Sequence, residues 1–211
     1  MTTQTTAAPA RPLLVAGLAA GPLFLAAGLV QAATRDGFDL ARHPLSLLAV
    51  GEGGWVQAAN FVLSGALVVA SASGMRRGPE AGTWGPRLVA VFGAGLVLSG
   101  VFVTDAGAGF PAGAPEGAPE MSWHGVLHEI GFGVAVLGWT AAAAVSARRF
   151  ATRGRWGAAA ATVGTALAAF AVVGWPDPDS FSVRLVVASA VQFGLVAGLS
   201  ADLLGRGASR A

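Results

Sequence analysis

Residues 123–150 read WHGVLHEIGFGVAVLGWTAAAAVSARRF: an indole, two histidines and a glutamate, then an apolar run, then two arginines. At about 1.5 Å of rise per residue, the run 123–145 is long enough as a helix to cross a hydrocarbon core about 30 Å thick. Five further runs of the same kind lie at 12–33, 55–74, 86–104, 156–174 and 183–204. None has the polar/apolar alternation of a barrel strand, and backbone amides in lipid must be bonded within their own segment. The expected fold is therefore all-α, an integral membrane bundle of six transmembrane helices. Residues 1–11 read as a disordered N-terminal tail, 12–204 as one transmembrane domain and 205–211 as a C-terminal tail. Composition agrees, because the 211 residues are 54% hydrophobic and only 11% charged, with a mean hydropathy of +0.64. That balance lies outside the range of a soluble domain.

The charges alternate from gap to gap. Arg11, Arg76, Arg77, Arg87, Arg148, Arg149, Arg153, Arg155, Arg206 and Arg210 fall on one side of the predicted bundle, and only Arg35, Arg42 and Arg184 on the other. By the positive-inside rule both termini are expected to be cytoplasmic, in the cytoplasmic membrane of a prokaryote, with loops 34–54, 105–122 and 175–182 outside. Nine of the acids lie on that outer side, leaving Glu80 and Asp202 inside. The sequence pI of about 10.9 does not point to nucleic acid, since these arginines sit in short loops against a bilayer. Anionic lipid is their expected partner.

The chain has no cysteine, which excludes disulfides, thiolate nucleophiles and thiolate-ligated metals. The first apolar run follows Arg11 and precedes Ala32 and Ala33, as a signal peptide would. It is longer than the ~7–15-residue apolar region of a signal peptide, so it reads as a retained helix. Trp55, Trp123 and Trp175 mark one predicted membrane boundary and Trp84 and Trp156 the other. GLAAG (Gly17, Gly21) and GLVAG (Gly194, Gly198) have the small-residue spacing that lets helices approach closely, and Pro22 interrupts the first helix. Loop 106–122 repeats GAPE and reads as a flexible lid or linker. Loop 34–54 carries LSLLAV, too short to span, which is expected to lie at the interface or re-enter the bundle mouth.

All three histidines lie on the acid-rich side. His124 and His128 are four apart and so share a helical face, below the boundary tryptophan where ionisable groups are costly in lipid. Asp105, His43 and Glu52 close or follow neighbouring outer ends. Gln57, Asn60 and Ser64 form a one-faced polar stripe on the second helix. Ser46, Arg184 and Gln192 complete a candidate polar pocket, with Arg184 as a counter-ion to Asp105, Glu129 or Asp177. His124, His128 and Asp105 or His43 would give three ligands and an open position for a divalent metal such as zinc. Glu129 or Glu52 would then accept a proton from metal-bound water, a hydrolytic arrangement directed at a lipid or other amphiphile. The pattern H-x-x-x-H-E lacks the zincin glutamate directly after the first histidine. A haem would need His43 opposite one of the pair. A transporter would need a polar path, yet below Ser64 the second helix is apolar until Ser71. The alternative is a non-catalytic structural or partner-binding protein in which these groups satisfy one another and order the outer loops.

The stretches RHPLSLLAVGEGGWVQAANFVLSGALVVASASGMRR (42–77), GVFVTD (100–105) and WHGVLHE (123–129) resemble the prokaryotic membrane family designated domain of unknown function 998. The resemblance extends over helices one to six and rests on HPLS, GWVQAANF and HGVLH. It implies that His43, Ser46, Gln57, Asn60, Asp105, His124 and His128 match family motif positions, with Val103 where members often have proline. The family implies architecture and no activity. A likeness of parts also exists to alkaline ceramidase and adiponectin-receptor-like hydrolases, which combine Asp with H-x-x-x-H around zinc. Those have seven helices and carry the pair on the last, so the likeness carries no function.

Overall fold

A computed structural model describes residues 10–78 and 82–208. Most of the predicted N-terminal tail, Glu80 and Arg210 lie outside the described residues. The chain forms α1 (Arg11–Thr34), α2 (Trp55–Arg76), α3 (Trp84–Val101), α4 (Trp123–Thr152), α5 (Trp156–Val173) and α6 (Phe181–Ala208). Short 3-10 turns lie at Leu45–Ala49 and Pro178–Ser180. All six helices are long and apolar enough to cross a membrane, and no strand occurs among the described residues. The protein is thus an all-helical multi-pass membrane protein. α1 runs unbroken through Pro22, α3 stops before Thr104, and α4 continues past Val145 through Ser146 and both following arginines.

Each helix packs on its neighbours in sequence, and α1 also packs on α6, so the six helices close into a ring. α2, α3 and α4 are the most closely joined, whereas α5 touches its neighbours less. Glycine explains the close contacts. A Cβ built on Gly65 would lie 2.6 Å from the Gly93 carbonyl oxygen, and one on Gly93 2.7 Å from that of Gly65. Between α3 and α4, a Cβ on Gly95 would meet Gly131 O at 2.6 Å. Without hydrophobic gain between helices in lipid, such backbone contact is what holds them. Of the two small-residue motifs, Gly17 and Gly21 pack against Ser200, Ser71 and Phe193, while Gly194 and Gly198 have nothing within 4 Å. The two glycines of the second motif therefore face outward from the bundle and make none of its close helix contacts.

The two ends of the ring differ as the charge pattern requires. Trp84 and Trp156 begin helices at the arginine end, and Trp55 and Trp123 at the histidine end, all highly exposed. At the arginine end Arg155 forms a fork on Asp202 with bonds of 3.0 and 2.5 Å, and Arg206 adds a third at 3.1 Å. This joins the start of α5 to the last turns of α6.

Gly93→Ala should destabilise the protein by about 1–3 kcal/mol, because the added methyl meets fixed backbone. Gly194→Ala should be neutral or stabilising by up to ~1 kcal/mol, since it only relieves the glycine entropy penalty. Thermal unfolding midpoints in detergent distinguish the two, and equal shifts would refute the close-contact account.

Candidate functional site

α3 and α4 cap one another. Past Val101 the chain turns extended, and its last carbonyls have lost their helical donors. His128 Nδ1 lies 2.8 Å from Ser99 O and 3.0 Å from Phe102 O, and His124 Nδ1 lies 2.8 Å from Val103 O. Carbonyl oxygens only accept, so both Nδ1 atoms carry a proton and donate. The i, i+4 spacing that places both imidazoles on one face thus delivers two donors to the frayed end of α3. In return Asp105 reaches the N-terminus of α4. Its Oδ2 accepts from the Ser122 amide at 2.8 Å, while Ser122 Oγ, as N-cap, accepts from the Gly125 amide at 3.1 Å. Gly125 is required there, because a Cβ would fall 1.9 Å from Asp105 Oδ2.

Burial tends to raise the Asp105 carboxyl. Hydrogen bonds from Ser122 and the fields of His124 and His128 outweigh it, and the group lies below its ordinary value of 3.8. His124 Nε2 stands 3.7 Å from Asp105 Oδ1 and is the partly exposed side of the pair.

His43 is elsewhere. It is 3% exposed, its Nδ1 accepts from the Asp39 amide at 2.9 Å, and its Nε2 therefore donates to Ala108 O at 3.0 Å. Both ring nitrogens are committed, Nδ1 within loop 34–54 and Nε2 in tying that loop to loop 105–122. Phe110, 2% exposed, packs against Phe38 and the His43 ring. Loop 106–122, which reads in the sequence as a flexible lid or linker, is anchored by this aromatic plug. Arg42 adds a surface pair to Glu116 at 3.2 Å. The LSLLAV patch forms the 3-10 turn with Leu45, Leu47 and Leu48 buried, and Arg35 donates to Leu48 O at 3.2 Å and Val50 O at 2.6 Å.

The α2 stripe faces α1. Asn60 donates to Phe24 O at 3.0 Å and Gln57 Oε1 at 3.1 Å, Ser64 donates to Asn60 Oδ1 at 3.4 Å, and Gln31 of α1 donates to Gln57 Oε1 at 2.8 Å. Arg184 pairs with no carboxylate among the described residues. Its guanidinium donates to the carbonyls of Val172, Val173, Trp175 and Asp177 and closes the end of α5. The expected counter-ion to Asp105, Glu129 or Asp177 is therefore a helix cap, and the cause is the electronegative C-terminus it faces.

These placements do not assemble the expected metal centre. Among the described residues no three His, Asp or Glu side chains converge as ligands. His43 has no free nitrogen, His124 and His128 turn their protonated nitrogens to α3, and Glu52 is exposed on its loop. What the ring does enclose is a cavity of about 390 Å³. Phe24, Phe61, Phe92, Phe193 and Trp139 give it aromatic walls, and Trp139 Nε1 is held by Gln192 O at 3.0 Å. Ser46, His128, Glu129 and Gln192 of the expected pocket line it, whereas His43, His124, Asp105, Gln57, Asn60, Ser64 and Arg184 do not. Phe132, Phe170 and Phe181 line it too and remain about half exposed, marking a side opening between α4, α5 and α6.

Sequence reasoning passed over Ser99, Ser122 and Gln31. Ser122 carried a readable signal, a serine directly before the helical run. Gln31 carried only its polarity near the end of an apolar segment.

Because the Asp105 carboxyl is lowered on folding, its contribution is present above pH ~4 and is lost as pH falls through the folded value. Asp105→Asn keeps an acceptor for Ser122 and removes the charge. It should lower stability by on the order of 1 kcal/mol at pH 7 and by nothing once the wild-type carboxyl is protonated. Unfolding midpoints against pH test this, and a difference independent of pH would refute it. His128→Ala orphans two carbonyls and should cost about 1–3 kcal/mol. Added zinc should leave both midpoints unchanged; a zinc-dependent rise in the wild type alone would restore the metal reading.

Comparison with curated proteins and with solved structures finds no match to this chain. Residues 18–205, which take in α2 to α5 whole and most of α1 and α6, match the family described as Protein of unknown function (DUF998). The reciprocal α3/α4 cap, the ring and its cavity are accordingly those of a member of that family, to which this chain belongs.

Proposed function

We propose that this protein binds an amphiphile in its central cavity, with the apolar chain along the aromatic walls toward Trp139 and the polar head at the His128 end. The carrying observation is the distribution of polarity in the cavity. Its walls are mostly aromatic and aliphatic, His128, Glu129 and Ser46 are among the few polar groups that line it, and Gln192 lies deeper, beside Trp139. A pocket of this size lined mainly by apolar groups with a few polar ones is the usual form of a small-molecule site. From His128 to Trp139 the helix rises about 16 Å at 1.5 Å per residue, a depth suited to an alkyl or isoprenoid chain rather than a compact solute. The half-exposed Phe132, Phe170 and Phe181 supply a route from the bilayer. The arginine end is placed in the cytoplasm, against anionic lipid of a prokaryotic cytoplasmic membrane, on the strength of the arginine asymmetry.

A second reading is a scaffold whose polar groups order its outer loops. The full engagement of His43 and of the α3/α4 cap favours it. The two readings diverge at the cavity.

Trp139 is 1% exposed, while the other five tryptophans are 62–74% exposed. With those five changed to phenylalanine, an amphiphile brominated near its chain end should quench Trp139 saturably in nanodiscs. Ala188→Phe, which fills the cavity, should abolish the quenching with little change in unfolding midpoint. Quenching that never saturates, or that survives the filled cavity, would leave only the scaffold.

A further inference from the structure

The tail of an amphiphile gains little by leaving the bilayer for an apolar cavity, because lipid chains are as apolar as the lining. Selection must therefore come from the polar end. The His128 tautomer is set from outside the cavity, since Nδ1 donates to Ser99 O and Phe102 O. In the neutral ring this leaves Nε2 as a hydrogen-bond acceptor, and that edge is what remains for the cavity. Glu129, next in sequence and also lining, forms no hydrogen bond or ion pair among the described residues. Its acidic side chain adds a second acceptor at the mouth.

No arginine lines the cavity. The three at this end are committed to other partners: Arg35 to Leu48 and Val50 carbonyls, Arg42 to Glu116, and Arg184 to the carbonyls ending α5. A phosphate or carboxylate head would lose its hydration, meet no cation and sit beside Glu129. A hydroxyl or ammonium head would meet two acceptors.

We infer that the cavity selects a single-chain amphiphile whose head donates hydrogen bonds and carries no negative charge, an alcohol or an amine, through His128 Nε2 and Glu129. This rests on the cavity reading above. Glu129 acts on a cationic head by charge, and His128 on either head by accepting a hydrogen bond. Ser46 also lines the cavity, whereas Gln192, whose carbonyl accepts from Trp139 Nε1, lies at the deep end.

The test uses one brominated chain carrying an alcohol, a primary amine, a carboxylate or a phosphate head, read by saturable quenching of Trp139. The alcohol and the amine should bind at least about tenfold more tightly than the phosphate, a difference of ~1.4 kcal/mol. Glu129 is exposed and unpartnered, so Glu129→Gln should preserve the fold. It should weaken the amine about tenfold and leave the alcohol within about twofold. Saturable quenching of equal strength for all four heads, or tightest with phosphate, overturns the head-group inference and leaves the cavity reading standing. An amine affinity unmoved by Glu129→Gln overturns the role of Glu129. No saturable quenching with any head overturns both the inference and the reading on which it rests.

Discussion

A helix end in or near lipid cannot leave its carbonyls to water, and this constraint organises the histidine end of the protein. Three helices, α1, α3 and α5, finish there, each presenting an electronegative C-terminus. Donors arrive from elsewhere in the chain to meet two of them: His124 and His128 for α3, and Arg184 for α5. After the third, Arg35 spends its guanidinium on the carbonyls of the turn that covers the ring. The polar residues at this end are thus mostly explained by backbone satisfaction.

The α3/α4 exchange is the strongest instance, since the acid of one connection caps the helix that supplies the imidazoles. Asp105 could not approach α4 if Gly125 carried a side chain, and His128 could not reach α3 without the close backbone contact at Gly95 and Gly131. Packing in the membrane interior and capping at its edge are therefore one device. Its consequence for the cavity is indirect. By holding His128 through Nδ1, α3 settles which edge of the ring any ligand meets.

The ring is unevenly closed. Glycine contacts draw α2, α3 and α4 together, while α5 has only Ala159, Thr162 and Ala169 buried. Space accumulates on the loosely packed side, where aromatic side chains both line the cavity and face lipid. Mostly apolar, aromatic walls with a few polar groups follow from that asymmetry.

The sequence by itself determined the six spans and the separation of charge between the two ends, because hydropathy and helical rise are local properties that survive without knowledge of neighbours. It also singled out His43, Asp105, His124 and His128, since ionisable groups near lipid are conspicuous by cost alone. It could not tell whether they converge. His43 lies under Phe38 and Phe110, held to a loop that looked featureless because its glycines and prolines conceal one buried aromatic. Tertiary structure alone decided which nitrogen of each histidine was spent, that Arg184 caps a helix instead of neutralising an acid, and that the ring encloses a cavity. Each depends on the distance between segments far apart in the chain, and in a bundle this apolar that distance is set by where glycine permits backbones to touch.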